Sequence, residues 1–496
     1  MAGRSQTGGA REGSIDNCLV KREVGLTRIF IETMKSFRQK VWPYCPYLIL
    51  SILLILGAMP LTDEAWFTYP ALTFLREGRL LDINWCQPYR IHNFTMEAAS
   101  LVYSAWYKIG WIDIVWGRVL GIISGLLFLF VINQCFQMIG VSAQTRKVAI
   151  GISGINYFFL ISVSQIRPEG LTLLCSSLSL YMYLTWLQDT KAFFRYFLVH
   201  VFIIGAALLH WQAVFAGVGI WITTILLNGK EISYRRAAAV LSLYVFTITM
   251  IYLSYINPLQ EEFMKRMDFL FMRSGLGGGM HPHAGGMIIA AMRYFGTSQY
   301  LKLLVAIAMF VALGIALKSF WNRETNRKVL CIYGLSCYVS WITTTSGLDD
   351  FHASWLVVPF MIMMIGGYET CRSRSGIKRL LGYGLVGCVF LLSGFGSIFA
   401  VRTIYLNPRV NLYEKDLRAL DSEFNLKAST VFGERETMWY FKFDPAVTFP
   451  VHGTAEYFIG PAVKATDSIN ICDKQYALVK KRERFALYRL VGGGTL

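Results

Sequence analysis

Charge is scarce in this chain: 16% of its 496 residues are Asp, Glu, Lys or Arg, while 54% are hydrophobic and the mean hydropathy is +0.44. A soluble chain of this length would divide into about three or four domains and carry roughly a quarter charged residues, so the composition excludes that class and points to a polytopic membrane protein. Acidic residues are the scarcer kind, 31 against 48 Lys and Arg, which leaves a net charge of +17. The basic excess is not a nucleic-acid surface. It falls largely in short segments between apolar runs, where it bears on membrane orientation.

Other absences narrow the chemistry. The ten cysteines show no CxxC and no metal-ligand spacing, so neither a disulfide framework nor a zinc site is indicated. Cys86 and Cys472 both fall in stretches assigned below to the outer side, either as a pair or as two unrelated thiols. No Gly-rich phosphate loop is present, no DxD motif stands on the cytoplasmic side, and no nucleotide site is expected. An internal repeat is also missing, which argues against the many transporter folds built from repeated halves.

What is present is a series of apolar runs near the length needed to cross a bilayer. They fall around 44–61, 114–139, 148–164, 169–187, 195–210, 212–227, 236–256, 300–318, 329–346, 353–369 and 380–402, about eleven spans in all. The basic segment 1–42 precedes them and is too long at its front end for a secretory signal, so "YLILSILLILGAMPL" is expected to be retained. With the N-terminus cytoplasmic, the inside loops are "SAQTRK", "QDTKAFFR", "NGKEISYRR", "KSFWNRETNRK" and "CRSRSGIKR", and each carries at least two Lys or Arg. The same threading gives a membrane domain over 43–402 with extracytoplasmic loops 62–112 and 257–297. It leaves 403–496 outside, where "STVFG" and "YALVKKRERFALYRLV" suggest strands and "NLYEKDLRALDSEFN" a helix, a small α/β domain.

The polar residues that invite a chemical reading gather on that outer side. In "PLTDEAWFTYP" Asp63 and Glu64 stand at the outer mouth of the first span, where charge beside hydrocarbon is costly. They suit a general base and its orienting partner, since adjacent carboxylates raise each other's pKa, although an acidic pair can also simply end a helix. "QIRPEGL" places Arg167, Pro168 and Glu169 between two spans. Pro168 suits the first turn of the next helix and Glu169 its positive end, while Arg167 is suited to hold a phosphate oxygen. "PYRIHNF" offers Arg90, His92 and Asn93 as phosphate or sugar contacts, or as residues snorkelling at the interface, just before an amphipathic helix in "TMEAASLVYSAWYKIG". His281 and His283 in the glycine-rich "RSGLGGGMHPHAGG" read as lid residues for a substrate, with metal binding beside a carboxylate as the weaker alternative that an HxH spacing offers. His352 in "GLDDFHASWLVVP", with Asp349 and Asp350, stands at another outer mouth. His210 and Trp211 fit interfacial packing.

With the acidic loop, the RPE turn and the tail in place, the chain resembles the GT-C superfamily of polyprenyl-phosphate-sugar glycosyltransferases, nearest to the protein O-mannosyltransferase type and the bacterial aminoarabinose transferase that modifies lipid A. The likeness rests on "TDEAWFTYPALTFLREGRL", "GWIDIVWGRVLGIISGLLFLFVI", "SQIRPEGLTLLCSSLSLYMYLTWL" and "FHASWLVVPFMIMMIGG". It covers the first 190 residues or so well and the remainder through span count and the outer C-terminal domain. One departure is plain: the lipid A branch usually has Lys-Pro-Pro before the amphipathic helix, where this chain reads "YRIHNF". The resemblance implies an α-helical GT-C-like membrane fold in a bacterial inner membrane and a lipid-linked sugar donor. It implies a glycan, lipid or protein acceptor and inverting transfer with Asp63 as base. Arg90, His92, Asn93, Arg167, Glu169, His281, His283 and His352 become the phosphate and sugar contacts. No metal ligand set is assigned, and a divalent ion stays open as a cofactor. A transporter or lipid flippase is the competing expectation; it predicts charged or broken segments near the bilayer midplane.

Overall fold

The computed structural model describes residues 41–57, 62–83, 90–92, 97–210, 212–228, 233–253, 309–318, 325–344, 352–371, 376–405, 408–433, 435–444, 455–471 and 474–491, with the isolated residues 257, 260, 307 and 447. After a short 3-10 turn at Trp42–Tyr44 come α1 (Cys45–Gly57) and α2 (Thr62–Glu77). A small hairpin of β1 (Leu81–Ile83) and β2 (Arg90–His92) follows, pairing Leu81 with His92 and Ile83 with Arg90, and then α3 (Glu97–Ile109). The membrane body continues through α4 (Ile114–Met138), α5 (Ala143–Gly154), α6 (Tyr157–Val163), α7 (Glu169–Gln188), α8 (Phe193–Leu209), α9 (Ala213–Asn228) and α10 (Tyr234–Ile251). It closes with α11 (Met309–Lys318), α12 (Thr325–Thr344), α13 (Val357–Cys371) and α14 (Gly376–Tyr405).

Helix α4 is the longest uninterrupted apolar element before α14, and its ends are set by polar residues. The Asp113 carboxylate accepts from the amides of Val115 and Trp116 at its start, and the Ser142 hydroxyl caps the helix that follows it. Twenty-five residues at about 1.5 Å each span more than the roughly 30 Å of hydrocarbon. Among the described residues three helices are long and apolar enough to cross, α4, α7 and the segment ending in α13, or four if the bent pair α5–α6 counts as one span. Four shorter apolar helices accompany them. The run expected as one span at 148–164 is in fact two helices bent by 64°. Asn156 causes the break: its side chain accepts from the amides of Phe158 and Phe159 and starts α6 afresh.

Close approach explains how α4 meets the segment after α6. A Cβ on Gly121 would collide with the Val163 carbonyl, and one on Gly125 with the Tyr47 hydroxyl. The absent side chains let backbone meet backbone, as small residues do between membrane helices. Tyr47 uses the space to donate to the Ile122 carbonyl at 2.8 Å.

A second apolar cluster forms where Phe67 and Leu72 of α2, Tyr103 and Tyr107 of α3, Ile166 and Leu209 meet. Met438 and Phe443 from the C-terminal part join it, and Arg76 of α2 donates to the Phe443 carbonyl at 3.0 Å. That part comprises α15 (Pro408–Phe424) and a five-stranded sheet of β3 (Val431–Gly433), β4 (Tyr457–Pro461), β5 (Ser468–Ile471), β6 (Lys474–Lys481) and β7 (Phe485–Leu490). The strand order is β3-β4-β7-β6-β5, with β3 and β4 parallel and the other neighbours antiparallel. The stretch expected as one long strand at 476–491 is a hairpin, β6 and β7, turning at Arg482–Arg484.

One polar knot ties the end of α15 to its sheet. The Asp421 carboxylate accepts from the Lys427 amide and the Tyr440 hydroxyl, each at 3.0 Å, and faces the Lys427 ammonium at 3.1 Å. Burial alone would raise its pKa, but the hydrogen bonds from Lys427 and Tyr440 outweigh that and hold it below the usual carboxylate range. A carboxylate depressed in the fold contributes stability above its unfolded value, about 3.9, and loses it as pH falls through the lower folded value. Proteolysis of the C-terminal part in the intact protein is therefore expected to accelerate below about pH 4. Asp421→Asn should be cleaved faster than wild type at neutral pH, by the equivalent of about 1–2 kcal/mol, and show a flatter acid limb.

Candidate functional site

The first turn of α2 is held by a carboxylate sealed in the interior. Glu64 is fully buried, and Arg118, one turn into α4, grips it with both edges of its fork: Nε donates to Oε1 and Nη2 to Oε2, each at 2.7 Å. The remaining Nη1 donates to the Ile55 carbonyl of α1 at 3.3 Å. Oε1 also accepts from the Ile166 amide at 3.1 Å. Four segments, α1, α2, α4 and the turn at 164–168, thus converge on one pair of charges.

That turn carries the next pair. Arg167 donates from Nε and Nη2 to Glu169, the shortest contact being 2.8 Å, and both side chains are buried. Arg167 is therefore an ion-paired guanidinium, and Glu169, the first residue of α7, spends its carboxylate on it as well as standing at the helix's positive end. Pro168 occupies the position before the helix, and its carbonyl accepts from the Thr172 amide. The amphipathic α3 closes over the turn, with the Tyr103 hydroxyl donating to the Arg167 carbonyl at 3.0 Å. Its Tyr107 shares a hydrogen bond with Thr68 of α2 at 3.1 Å. Two acids and two arginines then make a neutral buried quartet built from residues far apart in sequence.

The other residues expected at the site are placed as follows. Asp63 has its backbone in the first turn of α2, directly before Glu64. Arg90 and His92 have theirs in β2, in the hairpin attached at the opposite end of α2 from the acids. His352 opens a 3-10 segment, His352–Leu356, that packs against α6, α7 and α12. Asn93, His281, His283, Asp349 and Asp350 lie outside the described residues, as do segment 1–40 and both Cys86 and Cys472. His210 caps the end of α8, its Nδ1 accepting from the Gln212 amide, while the Gln212 side chain accepts from Trp355 at 3.1 Å. Among the described residues no three His, Cys, Asp or Glu side chains group to hold a metal ion, and Glu64 and Glu169 are each engaged by an arginine. Those acids do not fit a divalent site, and no step is derived through one.

Arg118 escaped the sequence reading although it stands inside "GWIDIVWGRVLGII". An arginine flanked by apolar residues in a membrane helix demands an acidic partner, and the structure supplies Glu64.

A layer of α2, hairpin and amphipathic helix over a bundle of apolar helices, with a mixed sheet at the C-terminus, is an architecture that solved structures share. The solved structure of ArnT from Cupriavidus metallidurans bound to undecaprenyl phosphate aligns with it at TM-score 0.54, covering 92% of this chain and 99% of its own at 11% identity. The apo form of the same protein aligns at 0.55, over 92% and 98%, at 10% identity. The oligosaccharyltransferase AglB from Archaeoglobus fulgidus, in complex with an inhibitory peptide and a dolichol-phosphate, aligns at 0.47 over 86% of this chain and 70% of its own at 9% identity, too loosely to add to the argument. No protein-family profile matches the chain, and no curated protein matches it in sequence. The likeness is one of fold.

The buried pair makes a sharp prediction about stability. Arg118→Met leaves a buried carboxylate without its cation and is expected to cost about 3–5 kcal/mol. The double change Glu64→Leu with Arg118→Met removes both charges and should recover much of that loss. Thermal unfolding of the purified protein in detergent, followed by loss of monodisperse elution, ranks the variants; a double variant no better than the single one would show that the pair does not act as a unit.

Proposed function

We propose that this chain is an integral membrane glycosyltransferase that moves a sugar from a polyprenyl-phosphate donor to an acceptor hydroxyl at the extracytoplasmic face. The observation that carries the reading is the alignment along nearly the whole of ArnT, a fold solved with undecaprenyl phosphate bound, together with acids and arginines gathered at one end of α4. Arg118 enters α4 only four residues after Ile114, about 6 Å along the axis, so its charge belongs to one boundary of the bilayer and not to its middle. A flippase or transporter reading calls for charge near the midplane.

In this proposal the two adjacent acids divide the work. Glu64 has both oxygens engaged by Arg118 and is closed from solvent, which suits it to position α2 and not to take a proton. Asp63 is the general base. It accepts the proton of the acceptor hydroxyl as that oxygen forms a bond to the anomeric carbon from the face opposite the phosphate. The bond from that carbon to the phosphate oxygen breaks, the electron pair leaves with polyprenyl phosphate, and the anomeric configuration inverts. Charge growing on the leaving phosphate is met by Arg167, with Glu169 fixing the guanidinium, and by Arg90, His92 and Asn93 from the outer loop. His281, His283 and His352 complete the contacts to the sugar. Lipid, glycan and protein hydroxyls all fit this chemistry as acceptors.

Asp63→Asn is expected to lower sugar transfer by at least about a hundredfold while leaving donor binding and thermal stability near wild type. Glu64→Gln should reduce both transfer and stability. Release of polyprenyl phosphate from labelled donor in detergent, measured beside a melting curve, separates the two; near-normal turnover by Asp63→Asn would remove it as the base.

A further inference from the structure

Beyond the opposite end of α4 stands a charge that the described residues leave unanswered. Arg146 lies in the first turn of α5, just past the polar turn that follows α4. Its Nε and Nη1 are covered from solvent, and neither has a hydrogen-bond partner among the described residues. The other arginines buried in the helical body are answered: Arg118 by Glu64, Arg167 by Glu169, and Arg327 by Glu369 and the carbonyls of Ile139 and Gly140. Arg146 instead feels the phenol of Tyr44, whose hydroxyl accepts from the Asn133 side chain of α4 at 3.0 Å. A guanidinium with covered donors that the described residues leave unmatched is costly, so a further acceptor is the physical expectation.

Its position says what kind of acceptor. Asn133 stands fifteen residues beyond Arg118 on α4, about 22 Å along the axis, which places this cluster at the other boundary of the bilayer from the Glu64–Arg118 pair. Trp42, two residues before Tyr44, is 63% exposed, as aromatic residues at a membrane–water interface are. Lys147 follows Arg146 and is exposed, so two positive charges stand side by side at headgroup depth. A planar guanidinium fork matches phosphate oxygens, and paired cations between membrane helices favour a headgroup of net negative charge.

We propose that Arg146, with Tyr44 and Lys147 beside it, holds the headgroup phosphate of an anionic phospholipid at the membrane face opposite the proposed transfer site. This inference rests on α4, α5 and the Trp42–Tyr44 turn alone and stands whether or not the chain transfers sugar.

Native mass spectrometry of the full-length protein, offered equimolar phosphatidylglycerol and phosphatidylcholine, tests it. Wild type is expected to retain phosphatidylglycerol preferentially. Arg146→Gln should lose about tenfold in that retention, the effect of one charge-assisted hydrogen bond, and fall to the phosphatidylcholine level. Arg146→Lys keeps the charge without the fork and should fall between them, with circular dichroism and elution unchanged from wild type. Equal retention of the two lipids by wild type, or undiminished phosphatidylglycerol on Arg146→Gln, would overturn the proposal. Stabilisation by inorganic phosphate with none from phosphatidylglycerol would also overturn it, by making the occupant a soluble anion.

Discussion

A carboxylate and a guanidinium cannot be left apart where there is little water, and this constraint organises the end of the helical body where α1, α2 and α4 meet. Glu64 and Arg118 lie 54 positions apart in sequence, yet both are sealed from solvent and joined by two 2.7 Å hydrogen bonds. Taking either charge out of water singly costs several kcal/mol, so the only inexpensive arrangement is the one in which they meet. Ile55 and Ile166 add a carbonyl and an amide to the same node. The start of α2, the first turns of α4 and the turn before α7 are thereby held in register. Swapping the pair for well-packed apolar residues need not weaken the fold, so its value lies more in fixing where these segments meet than in net stabilisation.

The surrounding layer follows from that node. Once Ile166 is fixed to Glu64, Arg167 and Glu169 are delivered four and six residues beyond α6, close enough to pair with each other and to sit beneath Tyr103 of α3. The amphipathic helix then has a defined seat: Tyr103 and Tyr107 reach polar partners while their rings join Phe67 and Leu72 of α2. Met438 and Phe443 extend the same apolar layer, and Arg76 reaches the Phe443 carbonyl, so the C-terminal part and α2 share one contact surface. In the proposed reaction this is useful geometry. A base on the first turn of α2 would be presented from a backbone that its own neighbour has locked, and preorganisation of that kind is where catalytic advantage arises.

The sequence was most legible where one physical signal dominated. The uninterrupted apolar runs at 114–139 and 169–187 reappear as Ile114–Met138 and Glu169–Gln188 almost residue for residue, because hydrocarbon leaves a spanning backbone no partner but itself. The run at 148–164 misled for the converse reason: a single Asn156 can cap a new helix without disturbing the average hydropathy of the stretch. In the C-terminal sheet the strand at 431–433 and the region of β6 and β7 were visible, whereas the hairpin turn at 482–484 is hidden in a run of charges and β4 and β5 are too short to show a period. Side-chain partners were the least legible. Asp63 and Glu64 stood out as a pair, but that Glu64 turns to an arginine in the middle of an apolar tract depends on helix packing that no local pattern encodes. That Arg167 and Glu169 pair with each other was not legible, because a spacing of two residues says nothing about the rotamers that join them.

Helix α4 connects these two kinds of information. Near its start it carries Arg118, answered within the chain; near its end it presents Asn133 to Tyr44, beside an arginine that the described residues leave unanswered. Between them Gly121 and Gly125 let the neighbouring backbone and Tyr47 close in, so the helix is clamped along the half nearer Arg118 by packing that tolerates no added atom. A rigid rod fixed at one end and, in the proposal, holding a headgroup at the other transmits little by bending. Binding at the Arg146 end can therefore influence the outer layer only by shifting α4 as a whole, and the Glu64–Arg118 bonds resist such a shift because breaking them exposes two charges to hydrocarbon. The arrangement favours a headgroup that anchors and orients the protein in its bilayer over one that switches the chemistry at the far side.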